Sequence, residues 1–313
     1  MLASRDRTAY VTLVAGMIAF GGTWPAGKVA AEHVPPAVVA VVRFAFAALL
    51  LRLWARATRT PVRWPARRDV PLVLVLALTV VVAYNLCFLY GVRHASAADG
   101  SVIVPGLIPI VTALLGWLAL GRRPPRGVLP GLLVAVTGLV VVAAPSGGVG
   151  AERALGDLLF VGAALAWAVY TLAGRRATDR YGSVAANVYA TAAGAILLLP
   201  VSFLDGGWRP LLHAPAGAVA GIAYLCVLGT VLAFVAFYEG VRLIGSARAA
   251  SFTLLVPIFG VLSAVVVLGE RLRPMLAAGG ALVLAGLWLA ERASRGEAGS
   301  LSTARPASAS AAR

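Results

Sequence analysis

The side chain with the most to explain is Arg43, because it interrupts an apolar run, PAVVAVVRFAFAALLL. It stands some seven residues into that run, roughly 10 Å below a bilayer surface at 1.5 Å of helix rise per residue. A guanidinium at such a depth costs about 2.5–3.5 kcal/mol on insertion scales, so something must offset it. One reading makes Arg43 a cation facing a central cavity, where it attracts a carboxylate-bearing solute. The other makes it a structural arginine, bonded to helix carbonyls or snorkelling outwards. The residues leave both open.

Other candidates sit at comparable depth in other apolar runs. Trp24 and Trp167 lie inside their runs, whereas tryptophans of an interface belt lie at the ends; they are candidates to line a cavity or to pack. Tyr84 and Asn85 put polar groups mid-run, and a buried amide there bonds a neighbouring helix or a solute. Ser101, Pro105 and Pro109 recur at i, i+4 and i+8 on one helix face. Their prolines free carbonyls that can bind solute, or merely kink the bundle. Thr230, Phe234 and Tyr238 share a face in the same way, and Ser251 and Thr253 open a later run. Glu239 reads either as a proton-coupling carboxylate or as the interfacial partner of Arg242, three residues on, and Asp157 as a carboxylate favoured by a helix N-terminus.

Several chemistries find no support. GTWPAGKV (22–29) fits GxxxxGK but lacks the following Ser or Thr and follows no strand, so it is not a phosphate loop. His33, His94 and His213 are isolated, and no HExxH, GxSxG or Cys/His cluster occurs. Neither catalysis, nor a metal, nor a cofactor has a visible basis. Cys87 and Cys226 sit inside apolar runs and read as packing residues.

The composition says what holds these residues. The chain has 313 residues, of which 60% are hydrophobic and only 12% charged. Soluble proteins carry about 25% charged residues, so lipid must solvate much of this surface. The net charge of +15 falls between apolar runs rather than on one face, which argues against nucleic acid as a partner. Ten runs suit membrane helices of about 20 residues, roughly 8–28, 36–54, 70–91, 97–119, 127–145, 155–174, 183–204, 216–238, 247–268 and 273–290. Residues 292–313, rich in Ala, Ser, Arg and Gly, read as a disordered cytoplasmic tail. With the N-terminus in the cytoplasm, twenty basic residues fall on that side and six outside, so both termini are expected inside.

The runs repeat. GLIPIVTALLGWLALGRR (106–123) recurs as LLVPIFGVLSAVVVLGER (254–271), with Pro109, Leu120 and Gly121 returning as Pro257, Leu268 and Gly269. LYGVR (89–93) recurs as YEGVR (238–242). Five runs per half is an odd number, so the second half must enter the bilayer from the opposite side. The change from Arg122 to Glu270 fits a loop moved from the cytoplasm to the outside. Inverted repeats are the architecture of many secondary transporters.

FGGTWPAGKVAAEHVPPAVVAVVRFAFAALLL and LGTVLAFVAFYEGVRLIGSARAASFTLLVPIFGVLSAVVVLGE, in this order and with this duplication, resemble the EamA domain of the drug/metabolite transporter superfamily. The resemblance covers residues 8–290. It implies an all-α polytopic membrane protein of ten transmembrane helices in two inverted five-helix EamA repeats, 8–145 and 153–290. Spans 1–4 and 6–9 would surround a central cavity, with spans 5 and 10 peripheral. Family members characteristically export amino acids and other small metabolites. Arg122 departs from the family's LGE pattern.

The expectation is a secondary transporter of the cytoplasmic membrane that exports a small metabolite by alternating access. A gradient would drive it, with a small-molecule solute and the lipid bilayer as partners. Whether it is a monomer or a homodimer is open. Two rivals stand beside it: a membrane-embedded enzyme acting on a lipid-linked substrate, and a non-transporting membrane interaction protein.

Overall fold

The computed structural model describes residues 2–62, 65–121, 127–143 and 150–303. The side chains of 2–6, 295–303, Leu120, Tyr238, Ser246, Ala247 and Ala250 lie outside that description. Among the described residues the chain is helical and has no strand. The apolar helices, in chain order, are α1 (Arg7–His33), α2 (Pro36–Ala57), α3 (Arg67–His94), α4 (Ala97–Ala119), α5 (Val128–Ala143), α6 (Ala151–Tyr181), α7 (Ser183–Leu204), α8 (Ala216–Ile244), α9 (Leu255–Leu268) and α10 (Pro274–Ser294). Eight are long and apolar enough to cross a membrane, while α5 and α9 are shorter. Val266, Leu118 and Phe203 are 81%, 70% and 67% exposed, side chains that suit contact with lipid rather than water.

Local chemistry sets the ends. Pro36 occupies the first turn of α2, where its missing N–H is no loss. Ser96 caps α4 by accepting a hydrogen bond from the Asp99 N–H at 3.2 Å. The repeated Leu-Gly pair acquires a reason here. Gly121 and Gly269 end α4 and α9 at φ 65° and 66°, a left-handed conformation that side chains with a Cβ resist. The backbone of α10 stays helical to Thr303, which corrects the expectation of a disordered tail from 292 over that stretch. Good helix formers such as Glu291, Arg292 and Ala293 continue the turn, and no proline interrupts them before Pro306. Residues 304–313 and Arg122 lie outside the described residues.

Equivalent helices of the two halves run antiparallel against each other. A Cβ on Gly131 of α5 would lie 2.6 Å from the Gly286 carbonyl oxygen of α10, and one on Gly138 would lie 2.6 Å from the Gly279 oxygen. Partner numbers fall as α5 numbers rise, so the helices point in opposite directions, and only glycine admits so close a backbone approach. In α2 and α7 the Ala37 N–H, at the start of one, donates to Asp205 at the end of the other at 2.8 Å. In α4 and α9 the Ala97 and Ala98 N–H groups meet Glu270, just past α9.

The remaining packing repeats by exchange of halves. α1 packs on α8 and α9, and α6 packs on α3 and α4. In the register that aligns LYGVR with YEGVR, a π-helical stretch in α3, Ala77–Ala83, also matches one in α8, Val227–Leu232.

Candidate functional site

A cavity of about 580 Å³ lies between the halves. Two aromatic pairs face it. Phe20 of α1 meets Phe234 of α8 edge-on, with ring centroids 5.5 Å apart. Tyr84 of α3 meets Trp167 of α6 at 4.9 Å. Exchange of the halves maps the helix pair α1/α8 onto α6/α3, so each aromatic pair bridges an equivalent pair of helices. Pro105, Ile108 and Pro109 of α4 and Pro257 of α9 complete the middle. Towards the ends of α4 and α8 the lining passes through Ala113, Val128, Thr253, Ala290 and Glu291. Thr253 and Leu254 form the turn before α9, so backbone as well as side chain borders the cavity there.

The opposite end is sealed. Trp24, 3% exposed, packs edge-on against Phe88 at 5.0 Å and lies 5.9 Å from Phe160. Beyond this aromatic plug lies a layer of charge. Glu270 accepts from Lys28 Nζ at 3.0 Å, Ser96 Oγ at 2.8 Å, and the Ala97 and Ala98 N–H groups at 3.0 and 2.9 Å. Burial pushes the Glu270 carboxyl up, but the bonds from Ala98, Ser96, Ala97 and Lys28 outweigh it and hold its pKa below the usual carboxylate value. Next to it, Asp99 accepts two bonds from Arg273 Nη2, each 2.5 Å, and Arg153 stands 3.6 Å away. This layer joins the ends of α1, α4, α6, α9 and α10 on one face. On the other face Asp69 holds the end of α6 through Arg180, at 2.6 Å, and Tyr181.

Arg43 is held as a structural arginine, but by side chains of other helices rather than by helix carbonyls or the bilayer surface. It is buried, and it does not line the cavity. Its Nε donates to Thr230 Oγ1 at 3.0 Å and its Nη1 to Asn85 Oδ1 at 3.1 Å. Thr230 in turn donates to the Leu225 carbonyl, and Asn85 to the Val80 carbonyl, each five residues back along its own helix. Those carbonyls border or lie within the π-helical stretches. The guanidinium, next to the Tyr84 phenol, thus ties α2 to the irregular turns of α3 and α8.

The sequence matches the EamA-like transporter family twice, over residues 7–144 and 154–291. The chain belongs to that family. It is a membrane transporter, not an enzyme. This EamA-like transporter is similar to the "Probable terminal-alkyne amino-acid exporter" of Streptantibioticus cattleyicolor, at 28% identity over 93% of this chain and 96% of that one. It is 24% identical to the uncharacterized transporter YetK of Bacillus subtilis, over 92% and 88% of the two chains. An uncharacterized protein of Pseudomonas aeruginosa is 30% identical over 91% and 94%. A solved crystal structure superposes with a TM-score of 0.61 at 19% identity, over 92% of this chain and 95% of that one, a likeness of fold alone.

Of the positions singled out in this EamA-like transporter, Trp24, Tyr84, Pro105, Trp167 and Phe234 line the cavity. Arg43, Asn85 and Thr230 cluster beside it. Ser101 is fully buried, donates to the Ala98 carbonyl at 2.8 Å, and lies against Gly260, too tightly packed for solute. Ser251 does not line the cavity but donates to Glu291, which does, at 2.9 Å. The side chain of Tyr238 lies outside those described. Glu239 pairs with Arg242 at 2.7 Å. The expectation that spans 5 and 10 stay peripheral is corrected, since Val128 and Leu132 of α5 and Leu287, Ala290 and Glu291 of α10 reach the cavity. Thr253, at the start of the ninth apolar run, also lines the cavity, whereas sequence reasoning passed over Phe20, Phe237 and Glu291. Phe20 lies four residues before Trp24, one turn along the same face, and that spacing was the available signal.

Proposed function

We propose that this chain is a ten-helix secondary transporter of the cytoplasmic membrane. It exports a small metabolite such as an amino acid, by alternating access between two inverted five-helix repeats, 8–145 and 153–290. Both termini lie in the cytoplasm. The reading rests on a cavity shared by both halves, sealed at one end by an aromatic and ionic layer and bordered at the other by the start of α9 and the end of α10.

The arginine distribution supports the orientation, and the antiparallel pairing of α2 with α7 and α5 with α10 supports the inversion. On this orientation the sealed face is external and the structure is open towards the cytoplasm, the state in which an exporter loads. The π-helical turns of α3 and α8 act as the bending points, since such turns can shift by a residue without losing the whole helix. Arg43 holds both in register. The relative described as an amino-acid exporter supports the solute class.

Solute counterflow tests the proposal. Proteoliposomes preloaded with unlabelled amino acids should accumulate the labelled form of at least one above protein-free vesicles, with and without a pH gradient. Uptake equal to protein-free vesicles for every amino acid would overturn the solute class.

A further inference from the structure

The lining itself carries a charge preference. Six aromatic rings border the cavity, those of Phe20, Trp24, Tyr84, Trp167, Phe234 and Phe237. Among the described lining residues Glu291 supplies the formal charge. It stands on α10 at the open end, oriented by the Ser251 hydroxyl at 2.9 Å. Arg43, a buried cation beside the cavity, spends its guanidinium on Thr230 and Asn85 behind the wall. A solute in the cavity therefore meets aromatic rings, whose faces carry negative quadrupole charge, and a carboxylate. Ring faces attract ammonium groups and a carboxylate strengthens that attraction where water is thin. The same surroundings disfavour an anion, which would be desolvated beside a like charge.

We infer that the cavity selects solutes carrying an ammonium group on an apolar body, with Glu291 as the specificity-determining anion at its mouth. The inference rests on the transport reading for its site and deepens it by naming the solute's chemistry. The ammonium group pairs with Glu291 on entry, and the apolar body lies between the Phe20–Phe234 and Tyr84–Trp167 pairs. For an amino acid the recognised group is the amine rather than the carboxylate.

The test compares two probes of similar shape, phenethylammonium and 3-phenylpropanoate, bound to the full chain in lipid nanodiscs at pH 7. Phenethylammonium should bind about tenfold more tightly or better. Glu291→Gln should abolish the preference, whereas Glu291→Asp and Glu239→Gln, the latter at a residue outside the lining, should retain it. Trp167→Leu should weaken phenethylammonium binding with Glu291 intact. The inference is overturned if 3-phenylpropanoate binds equally or better, if neither probe binds, or if the preference survives Glu291→Gln undiminished. Counterflow of the same probes separates the two claims. Preferential movement of 3-phenylpropanoate sinks the charge preference and leaves transport standing. Glu291-dependent binding of phenethylammonium, with no counterflow of it or of any amino acid, supports the preference and overturns the proposed export.

Discussion

Arg43 and Thr230 belong to opposite repeats, and the Arg43 Nε donates to the Thr230 hydroxyl at 3.0 Å. Together with Asn85 they form a polar bridge inside an otherwise apolar interface. A buried donor left without its acceptor costs about 1–3 kcal/mol. Thr230→Val should lower unfolding stability by about that amount, and Thr230→Ser should recover most of it. In an Arg43→Met background the Thr230→Val change should cost much less, because the donor is gone. Denaturant titrations of the four proteins measure the coupling, and additive effects would show that the bond contributes nothing.

Glu270 carries a pH dependence of definite sign. Its folded pKa lies below the usual value of 4.5 because four hydrogen bonds favour the charged form over the cost of burial. A depressed carboxyl stabilises the fold fully above its unfolded pKa and loses that contribution as pH falls through the folded pKa. Wild type should exceed Glu270→Gln in stability by about 1.5–3 kcal/mol at pH 7, and the gap should close below pH 4.5. Thermal melts of both proteins across this window check the prediction. A gap that persists unchanged at low pH would contradict it.

The α5–α10 contact should be intolerant of side chains. Gly138→Val inserts atoms where a Cβ already meets the Gly279 oxygen at 2.6 Å, and overpacking of this kind costs about 1–3 kcal/mol. Gly116→Ala offers the contrast, since a Cβ there meets nothing within 4 Å. In a helix interior that change should stabilise by about 0.5–1 kcal/mol. Unfolding midpoints of the two variants moving in the same direction would refute this packing account.

Much of the architecture is legible in the residues, because the physics that sets it is local. Apolar run length, Leu-Gly punctuation and arginine placement are one-dimensional signals, and the duplication of GLIPIVTALLGWLALGRR is readable by eye. The site is less so, because a helix has two faces and the sequence does not say which meets the cavity. Tyr84 and Asn85 are neighbours, yet one lines the cavity and the other holds Arg43. Ser101 and Pro105 share a face, but Ser101 is pinned against Gly260 while Pro105 is reached by the cavity. Glu270 reads as a topological swap for Arg122, and its role in gathering Lys28, Ser96 and the α4 N-terminus appears only when those ends meet. Glu291 hides at the end of the last apolar run, where a charge is expected on any membrane helix.

The central claim is that solute crosses by opening the face sealed around Glu270 and closing the other. Locking the sealed face tests it most directly. Ser96→Cys with Arg271→Cys, in a Cys87→Ala, Cys226→Ala background, leaves Glu270 in place and can be joined by a short, reducible bifunctional thiol reagent. Counterflow should stop when the bridge forms and resume on reduction, while each single-cysteine protein treated alike stays active. Counterflow at the unlinked rate with the bridge complete would contradict alternating access through this face.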